Sequence, residues 1–156
     1  MTMNEHLEEA RQELKRLEHI IYVSLKYTRT TDVIVNALKR LVEIFDLMID
    51  AFLEKAQAEN LITALPKSPA LRATRLVEIY PEDETLKNYL HFYQFLKNTL
   101  KSEHKKRQEY RRHVTLVVDF EDCTAEIDID NLTNCEKYAN RFYFYALKVI
   151  EGREEE

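Results

Sequence analysis

The chain has 156 residues, a formal net charge of -5 at pH 7 and a single glycine, Gly152. Phosphate-binding P-loops, dinucleotide fingerprints and nucleophile elbows need glycine where the backbone approaches a ligand closely or takes positive φ, so the composition excludes these three kinds of site. The length suits one domain, and we expect a single helical-bundle domain over residues 1–152, followed by a charged tail at 153–156.

The cysteine content and the hydropathy pattern bear on the compartment. Cys123 and Cys135 are too few for a disulfide framework, and no further Cys or His nearby completes a four-ligand zinc site. No uncharged apolar run reaches the roughly 18 residues of a membrane span, and the opening residues are acidic and polar, unlike a signal peptide. We therefore predict a cytoplasmic protein with reduced thiols, no cofactor and no membrane partner.

The first two helical patterns are long. Apolar residues at alternating steps of three and four predict the first helix from about Asn4 to Tyr27. A polar cluster at 28–32 interrupts the pattern, and a hydroxyl or carboxylate in it is expected to cap the second helix, which runs to about Ala58. Apolar residues cover most of the second helix's circumference. Such a helix is either the most buried of a bundle or gives one face to a second subunit, so we predict a homodimer.

The next two helices have clear start signals. Ser68 followed by Pro69 is typical of an N-cap and a first helical position, and a short third helix is expected to end before Pro81. The fourth helix opens with the acidic run 82–84, which suits the positive end of a helix dipole, and carries an apolar stripe as far as Leu100.

The fourth helix is predicted to continue past Leu100 with a change of character. The same spacing reaches His104, Arg107 and Arg111, so an apolar face becomes cationic in the last turns. Residues 101–113 contain six Lys or Arg and two Glu, whereas residues 119–130 contain six Asp or Glu and no Lys or Arg. Two poles of opposite charge are therefore adjacent in the sequence.

After His113 apolar residues recur at every second position, which is the spacing of β-strands. This pattern predicts a two-stranded β-hairpin over 114–130. A lone hairpin is marginal in water, so its apolar face must lie on the bundle or on a second subunit. The last helix is predicted to begin near Thr133, where Thr133 and Glu136 fit a capping box, and to end at Gly152. The predicted fold class is mainly α: an antiparallel bundle of about five helices with a small two-stranded β-hairpin inserted before the last helix.

Two sets of carboxylates raise the hypothesis of a metal-dependent enzyme, because oxygen ligands suit Mg²⁺. The sets are Glu43, Asp46 and Asp50 on the second helix, and Asp119, Glu126, Asp128 and Asp130 around the hairpin. Helical spacing places the first set on the solvent-exposed edge of the second helix, which is otherwise apolar. Alternation places Glu126, Asp128 and Asp130 on the solvent face of the hairpin. Solvated carboxylates are the simpler interpretation of both sets, and we predict no metal site.

Two features of the last helix are better explained by packing than by chemistry. Cys135 shares a helical stripe with Leu132 and Ala139 and has no flanking histidine, which indicates a buried, inert thiol. Four consecutive aromatic residues at 142–145 could stack bases. Because consecutive residues point around the whole helix, packing in the core or against a subunit is favoured over base stacking.

The stretch 101–113 is the strongest candidate site. Its cations form a concentrated surface able to bind a phosphate backbone, and RNA or a nucleotide is the natural anionic partner. The candidate phosphate-binding residues are Lys101, His104, Lys105, Lys106, Tyr110, Arg111 and Arg112. In the alternative interpretation, a charged helix end protrudes from the bundle and is neutralised by the acidic hairpin that follows it.

The order of the helices and the segment Arg107 to His113 resemble the HEPN domain superfamily, small bundles of prokaryotic toxins and nucleotidyltransferase partners. Active members carry an Arg, a polar residue, a few more positions and then a His, and this segment has the form R-x5-H. The resemblance implies that Arg107 holds the scissile phosphate, while His113 is a general acid or base in metal-independent RNA cleavage using the 2′-hydroxyl.

The relative orientation of Arg107 and His113 sets a condition on this interpretation. On a continuous helix the two side chains point about 120° apart. They meet only if the helix breaks before His113 or if each of two subunits contributes one. The sequence therefore leaves two functions open. One is a HEPN-like bundle that binds and cleaves RNA, and the other is a non-catalytic homodimeric bundle that serves as an interaction module for an unidentified protein partner.

Overall fold

The computed structural model describes residues 2–152. Helix α1 spans Met3–His19, and the Thr2 hydroxyl caps it by accepting the Glu5 N–H at 3.2 Å. The helix then continues through a π-helical segment, Ile20–Ser24, and a last α-helical turn, Leu25–Tyr27. The predicted end at Tyr27 is confirmed.

Helix α2 spans Thr31–Ala58 and is the centre of the fold. Its N-cap is Thr30, whose hydroxyl accepts the Val33 N–H at 3.3 Å, so the predicted cap within 28–32 is confirmed. The helix contacts α1, the other three helices and the sheet, and buried residues recur along its whole length. Its apolar circumference is therefore covered by the chain's own core. A second subunit is not needed to bury it, and the homodimer stays a prediction that sedimentation tests.

Two shorter helices follow, α3 over Pro69–Ile79 and α4 over Glu84–Lys101. The proline at the start of α3 is confirmed, although the Ser68 side chain makes no capping bond. Asp83 caps α4, since its carboxylate accepts the Leu86 N–H at 2.9 Å.

Helix α4 ends at Lys101, so the prediction that it carries a cationic face through His104, Arg107 and Arg111 is wrong. Ser102 has extended backbone geometry and ends the helix by donating its N–H and its hydroxyl to the Asn98 carbonyl, at 3.0 and 2.7 Å. The chain beyond it enters the sheet.

The sheet has three antiparallel strands in the order β1-β2-β3: Glu103–Arg107, Thr115–Asp119 and Thr124–Ile127. The predicted two-stranded hairpin over 114–130 supplies β2 and β3 but omits β1. Strand β1 pairs with β2 from Glu103 opposite Asp119 to Arg107 opposite Thr115. The physical reason for the difference is that β2 would otherwise leave a row of backbone N–H and C=O groups unpaired, and the charged segment after α4 satisfies them.

Helix α5 spans Ile129–Ala146 and begins with a capping box that lies five residues before the predicted one. The Asp128 carboxylate accepts the Asn131 N–H at 2.8 Å, and the Asn131 side chain accepts the Asp128 N–H at 3.2 Å. The predicted start near Thr133, with Thr133 and Glu136 as the box, is wrong. The Thr133 hydroxyl instead donates to the Ile129 carbonyl at 2.9 Å.

The early start of α5 also moves two acidic residues. Asp128 is the helix cap and Asp130 lies in the first turn, so the prediction that both lie on the solvent face of the hairpin is wrong. Glu126 does lie in β3 and is exposed, as predicted. The helix continues as a π-helical segment, Leu147–Glu151, and stops at Gly152, whose φ of 71° is the left-handed conformation that favours glycine.

One hydrophobic core draws on every helix and on the inner face of the sheet. Phe142 of α5 lies at its centre, with ring centroids 5.0 Å from Phe45, 6.1 Å from Phe52 and 4.5 Å from Tyr89. Phe142 and Tyr143 are buried, in agreement with the packing interpretation of 142–145. Across residues 2–152, none of the helices combines the length and apolar character that a membrane crossing needs.

The capping box of α5 gives a first testable prediction. Asp128→Ala removes the acceptor for the Asn131 N–H and is expected to lower the free energy of unfolding by about 1 kcal/mol, measured by urea denaturation. Asp130→Ala is the matched control, because this neighbouring carboxylate has no capping bond; it should change stability by less than half as much. Equal losses in the two variants would contradict the assigned cap.

Candidate nucleic-acid interface

Strand β1 lies at the edge of the sheet, and all five of its residues are exposed. On the outer face of the sheet the Arg107 guanidinium donates to the Glu126 carboxylate of β3, and Lys105 Nζ lies 3.8 Å from the Asp119 carboxylate. Both pairs join a predicted phosphate-binding cation to the acidic hairpin. For these two residues the structure agrees with the alternative interpretation, in which the hairpin neutralises the basic stretch.

Residues 108–113, which we call the basic loop, connect β1 to β2. Two successive turns shape it: the Arg111 N–H donates to the Gln108 carbonyl at 3.1 Å, and the Val114 N–H donates to the Arg111 carbonyl at 3.0 Å. Gln108 and Tyr110 have φ of 54° and 64°, in the left-handed region that glycine usually occupies. In a chain with a single glycine, larger residues take these positions.

The basic loop is fixed to the N-terminus of α2. The Glu109 carboxylate accepts both the Thr31 N–H, at 3.1 Å, and the Thr31 hydroxyl, at 3.0 Å. The Tyr110 N–H donates to the Arg29 carbonyl at 2.6 Å. Thr31 is buried, and its N–H is one of the amides at the helix start that have no acceptor within the helix. The Glu109 carboxylate supplies that acceptor, and its negative charge suits the positive end of the helix dipole. Lys106 Nζ lies 3.7 Å from the same carboxylate.

The remaining part of the loop is free of such contacts. Arg111, Arg112 and His113 are exposed, and Tyr110 has 78% of its surface exposed. Among residues 2–152, no carboxylate forms an ion pair with either arginine or with His113. The uncompensated positive charge of the stretch 101–113 is therefore concentrated on the loop.

Lys101 and His104 lie outside the loop. Lys101 is the last residue of α4 and His104 lies on β1, opposite Val118; both are exposed. Neither forms an ion pair with a carboxylate of the described chain. They extend the cationic surface along the sheet edge.

Arg107 and His113 lie at the two ends of the basic loop. The condition that the helix break before His113 is met, because α4 ends at Lys101. Arg107 is opposite Thr115, and the Thr115 hydroxyl donates to the His113 carbonyl at 2.8 Å. The structure thus brings the two backbones to one end of the sheet. It does not join the two side chains, since the guanidinium is bound to Glu126.

Sequence reasoning missed the linker between α1 and α2 as part of this surface. Tyr27 is 81% exposed, and Arg29, two residues later, supplies the carbonyl that holds the basic loop. Arg29 Nε is buried and has no hydrogen-bond partner among the described residues. The available signal was Tyr27 followed by Arg29 in the polar cluster 28–32, for which the sequence predicted only a helix cap.

The three carboxylates of α2 considered for a metal site have other partners. On α2 each is bound by a donor of the protein: Glu43 by Arg40 at 3.3 Å, Asp46 by the Tyr93 hydroxyl, and Asp50 by Arg72 at 2.6 Å. Burial raises the pKa of the Asp46 carboxyl above its usual value. Within residues 2–152 there is no group of three or more His, Cys, Asp or Glu side chains arranged to hold a metal ion.

The two thiols differ in environment. Cys123 is exposed in the β2–β3 turn, whereas Cys135 is half-buried on α5. Burial raises the pKa of the Cys135 thiol to about 11, which leaves little of the reactive thiolate at neutral pH. This agrees with the interpretation of Cys135 as an inert packing residue.

The anchor of the basic loop gives a second prediction. Glu109→Ala leaves the Thr31 N–H without a partner and is expected to lower the free energy of unfolding by about 2 kcal/mol and to speed hydrogen exchange at Thr31. Glu103→Ala, an exposed carboxylate on β1 that forms no ion pair with the described chain, is the control and should have little effect. Unchanged exchange at Thr31 in Glu109→Ala would contradict the anchor.

Comparison of the chain with protein-family models, with curated proteins and with solved structures finds no match. The relation to the HEPN superfamily therefore stays a prediction. The geometry of the basic loop carries the functional argument.

Proposed function

We propose that this protein binds RNA through the basic loop and the adjoining end of the α1–α2 linker. The observation that carries the proposal is that Arg111, Arg112 and His113 are exposed and free of carboxylate partners within the described chain, while the backbone beneath them is fixed to α2. A polyanion with closely spaced phosphates is the partner that such a surface attracts.

The anchoring of the loop supports a binding role. Ordering a flexible loop on binding costs conformational entropy, which reduces affinity. Here two turns, the Glu109 carboxylate and the Tyr110 N–H hold the backbone before any ligand arrives. The arginine side chains keep their freedom to adapt to phosphates. A net charge of -5 for the whole chain does not oppose this, because attraction depends on the local field of the patch.

A second, more specific function is metal-independent RNA cleavage by Arg107 and His113, as the HEPN resemblance implies. The specific observation in its favour is that the break after α4 brings both residues to the same end of the sheet. In this reaction the 2′-hydroxyl gives up its proton and attacks the adjacent phosphorus. The P–O5′ bond breaks and the departing 5′-oxygen takes up a proton, so the products are a 2′,3′-cyclic phosphate and a 5′-hydroxyl.

For cleavage, the Arg107 guanidinium must leave the Glu126 carboxylate and bind a phosphate of the RNA instead. The two side chains are 49% and 50% exposed, and an ion pair of that exposure contributes only about 0–1 kcal/mol after solvent screening. A phosphate held by the neighbouring arginines can therefore compete with Glu126 for the guanidinium.

The binding proposal predicts the effect of removing the free arginines. The double variant Arg111→Ala/Arg112→Ala is expected to bind a labelled mixed-sequence RNA roughly 10-fold more weakly, with the slope of log K against log salt reduced by about 1.4. Fluorescence anisotropy over a salt series measures both quantities.

The control for this experiment is Lys137→Ala/Arg141→Ala, which removes two exposed cations from α5 and should leave the affinity nearly unchanged. If the wild-type protein does not bind RNA at low salt, or if both double variants lose affinity equally, the proposal is wrong.

The cleavage proposal makes a separate prediction. In the presence of a chelator, the wild-type protein is expected to produce 2′,3′-cyclic phosphate ends, and His113→Ala should abolish cleavage while retaining salt-sensitive binding. Glu126→Gln releases Arg107 from its ion pair and is expected to raise the cleavage rate a few-fold, measured on single turnovers.

His91→Ala is the matched control for the histidine, because this exposed imidazole lies on α4, outside the basic loop and the sheet edge. It should cleave as the wild type does. Binding without cleavage would refute the nuclease proposal and leave the binding proposal intact.

A further inference from the structure

The two most exposed large hydrophobic side chains among residues 2–152 are both tyrosines, and they lie at the same end of the molecule. Tyr27 and Tyr110 are 81% and 78% exposed, and no other large hydrophobic side chain among residues 2–152 exceeds 59%. They belong to segments that are bonded to each other, since the Tyr110 N–H donates to the carbonyl of Arg29, two residues after Tyr27.

The conformation of Tyr110 makes its identity unusual. Its φ of 64° is disfavoured for residues with a Cβ and most of all for bulky ones, whereas Gly or Asn adopts it readily. The bonds of Glu109 to Thr31 and of the Tyr110 N–H to the Arg29 carbonyl hold the backbone in this shape. The ring is exposed and is not part of the core. A large aromatic residue is therefore present at a position where neither the backbone conformation nor core packing requires it.

The residues that flank the two rings in the chain indicate which kind of ligand the rings can bind. Arg29, Arg111 and Arg112 lie within the same two segments, so each ring is accompanied in sequence by cations that can hold phosphates. Aromatic faces among arginines are the arrangement by which proteins bind single-stranded nucleic acid, with bases stacked on rings and the backbone on cations. Bases within a duplex are already stacked on one another and do not offer their faces.

We propose that the ligand of this surface is single-stranded RNA, and that its bases stack on Tyr110 and Tyr27. The inference rests on the proposed RNA binding and adds the substrate class and the two residues that select it.

The test compares one short labelled RNA strand with the same strand annealed to its complement, by anisotropy at a fixed low salt concentration. The wild type is expected to prefer the single strand. Tyr110→Ala should weaken single-strand binding roughly 5- to 150-fold, and Tyr27→Ala by a similar factor, the range that loss of one stacked base produces. Tyr110→Phe and Tyr27→Phe keep the ring face and should bind within about 2-fold of the wild type.

Two further variants separate stacking from changes in the loop. Tyr110→Asn suits the left-handed backbone, so the loop should persist and single-strand binding should still fall. Tyr22→Ala removes an exposed tyrosine that lies near the carboxylates of Glu18 and Glu136, and should not change affinity. Hydrogen exchange at Thr31 reports whether the loop remains anchored in each variant.

The outcomes distinguish this inference from the proposal on which it depends. Absence of RNA binding by the wild type overturns the binding proposal itself. Equal affinity for single strand and duplex, or alanine variants of Tyr27 and Tyr110 that bind as tightly as the wild type, overturns the stacking inference while RNA binding stands.

Discussion

The position of the basic loop depends on one constraint, the burial of helix α2. A helix with buried residues along its whole length in the centre of a fold has an N-terminus whose first amides still need acceptors. Thr31 is such a residue: it is buried, and its N–H finds the Glu109 carboxylate from 78 positions further along the chain. This contact ties the β1–β2 connection to α2 and fixes where the arginines that follow it are presented.

The helices were largely predictable, because each carries its own signals. Apolar spacing placed α1 and α2, Pro69 marked the start of α3, and the acidic run at 82–84 marked the start of α4. Strand β1 was not predictable in the same way. All five of its residues are exposed, so it shows no apolar alternation, and its strand geometry comes from pairing with β2. A prediction from local pattern reads such a segment as the continuation of the preceding charged helix.

The candidate site was predicted in part, and the reason is again non-local. The sequence indicates that 101–113 is basic and that 119–130 is acidic, but not which cations the carboxylates reach. The register of the strands determines which ion pairs form. Antiparallel pairing places Lys105 near Asp119 and Arg107 near Glu126. The loop bulges beyond the paired residues, so Arg111 and Arg112 escape neutralisation. Tyr27 and Arg29 join the surface only through the fold, since more than 80 residues separate them from Tyr110.

The binding surface is separable from the fold that presents it. The basic loop is held by backbone hydrogen bonds and by Glu109, whereas the side chains of Tyr110, Arg111, Arg112 and His113 are exposed. Substituting those side chains removes few contacts that stabilise the native state, so a loss of RNA binding in such variants reports on recognition itself. Substituting Glu109 has the opposite effect, because it removes the side-chain anchor of the loop while every cation remains. Comparing RNA binding by the two kinds of variant separates the effect of surface charge from the effect of loop geometry. Because a preorganised loop loses less conformational entropy on binding, we expect its geometry to affect the affinity as much as its charge does.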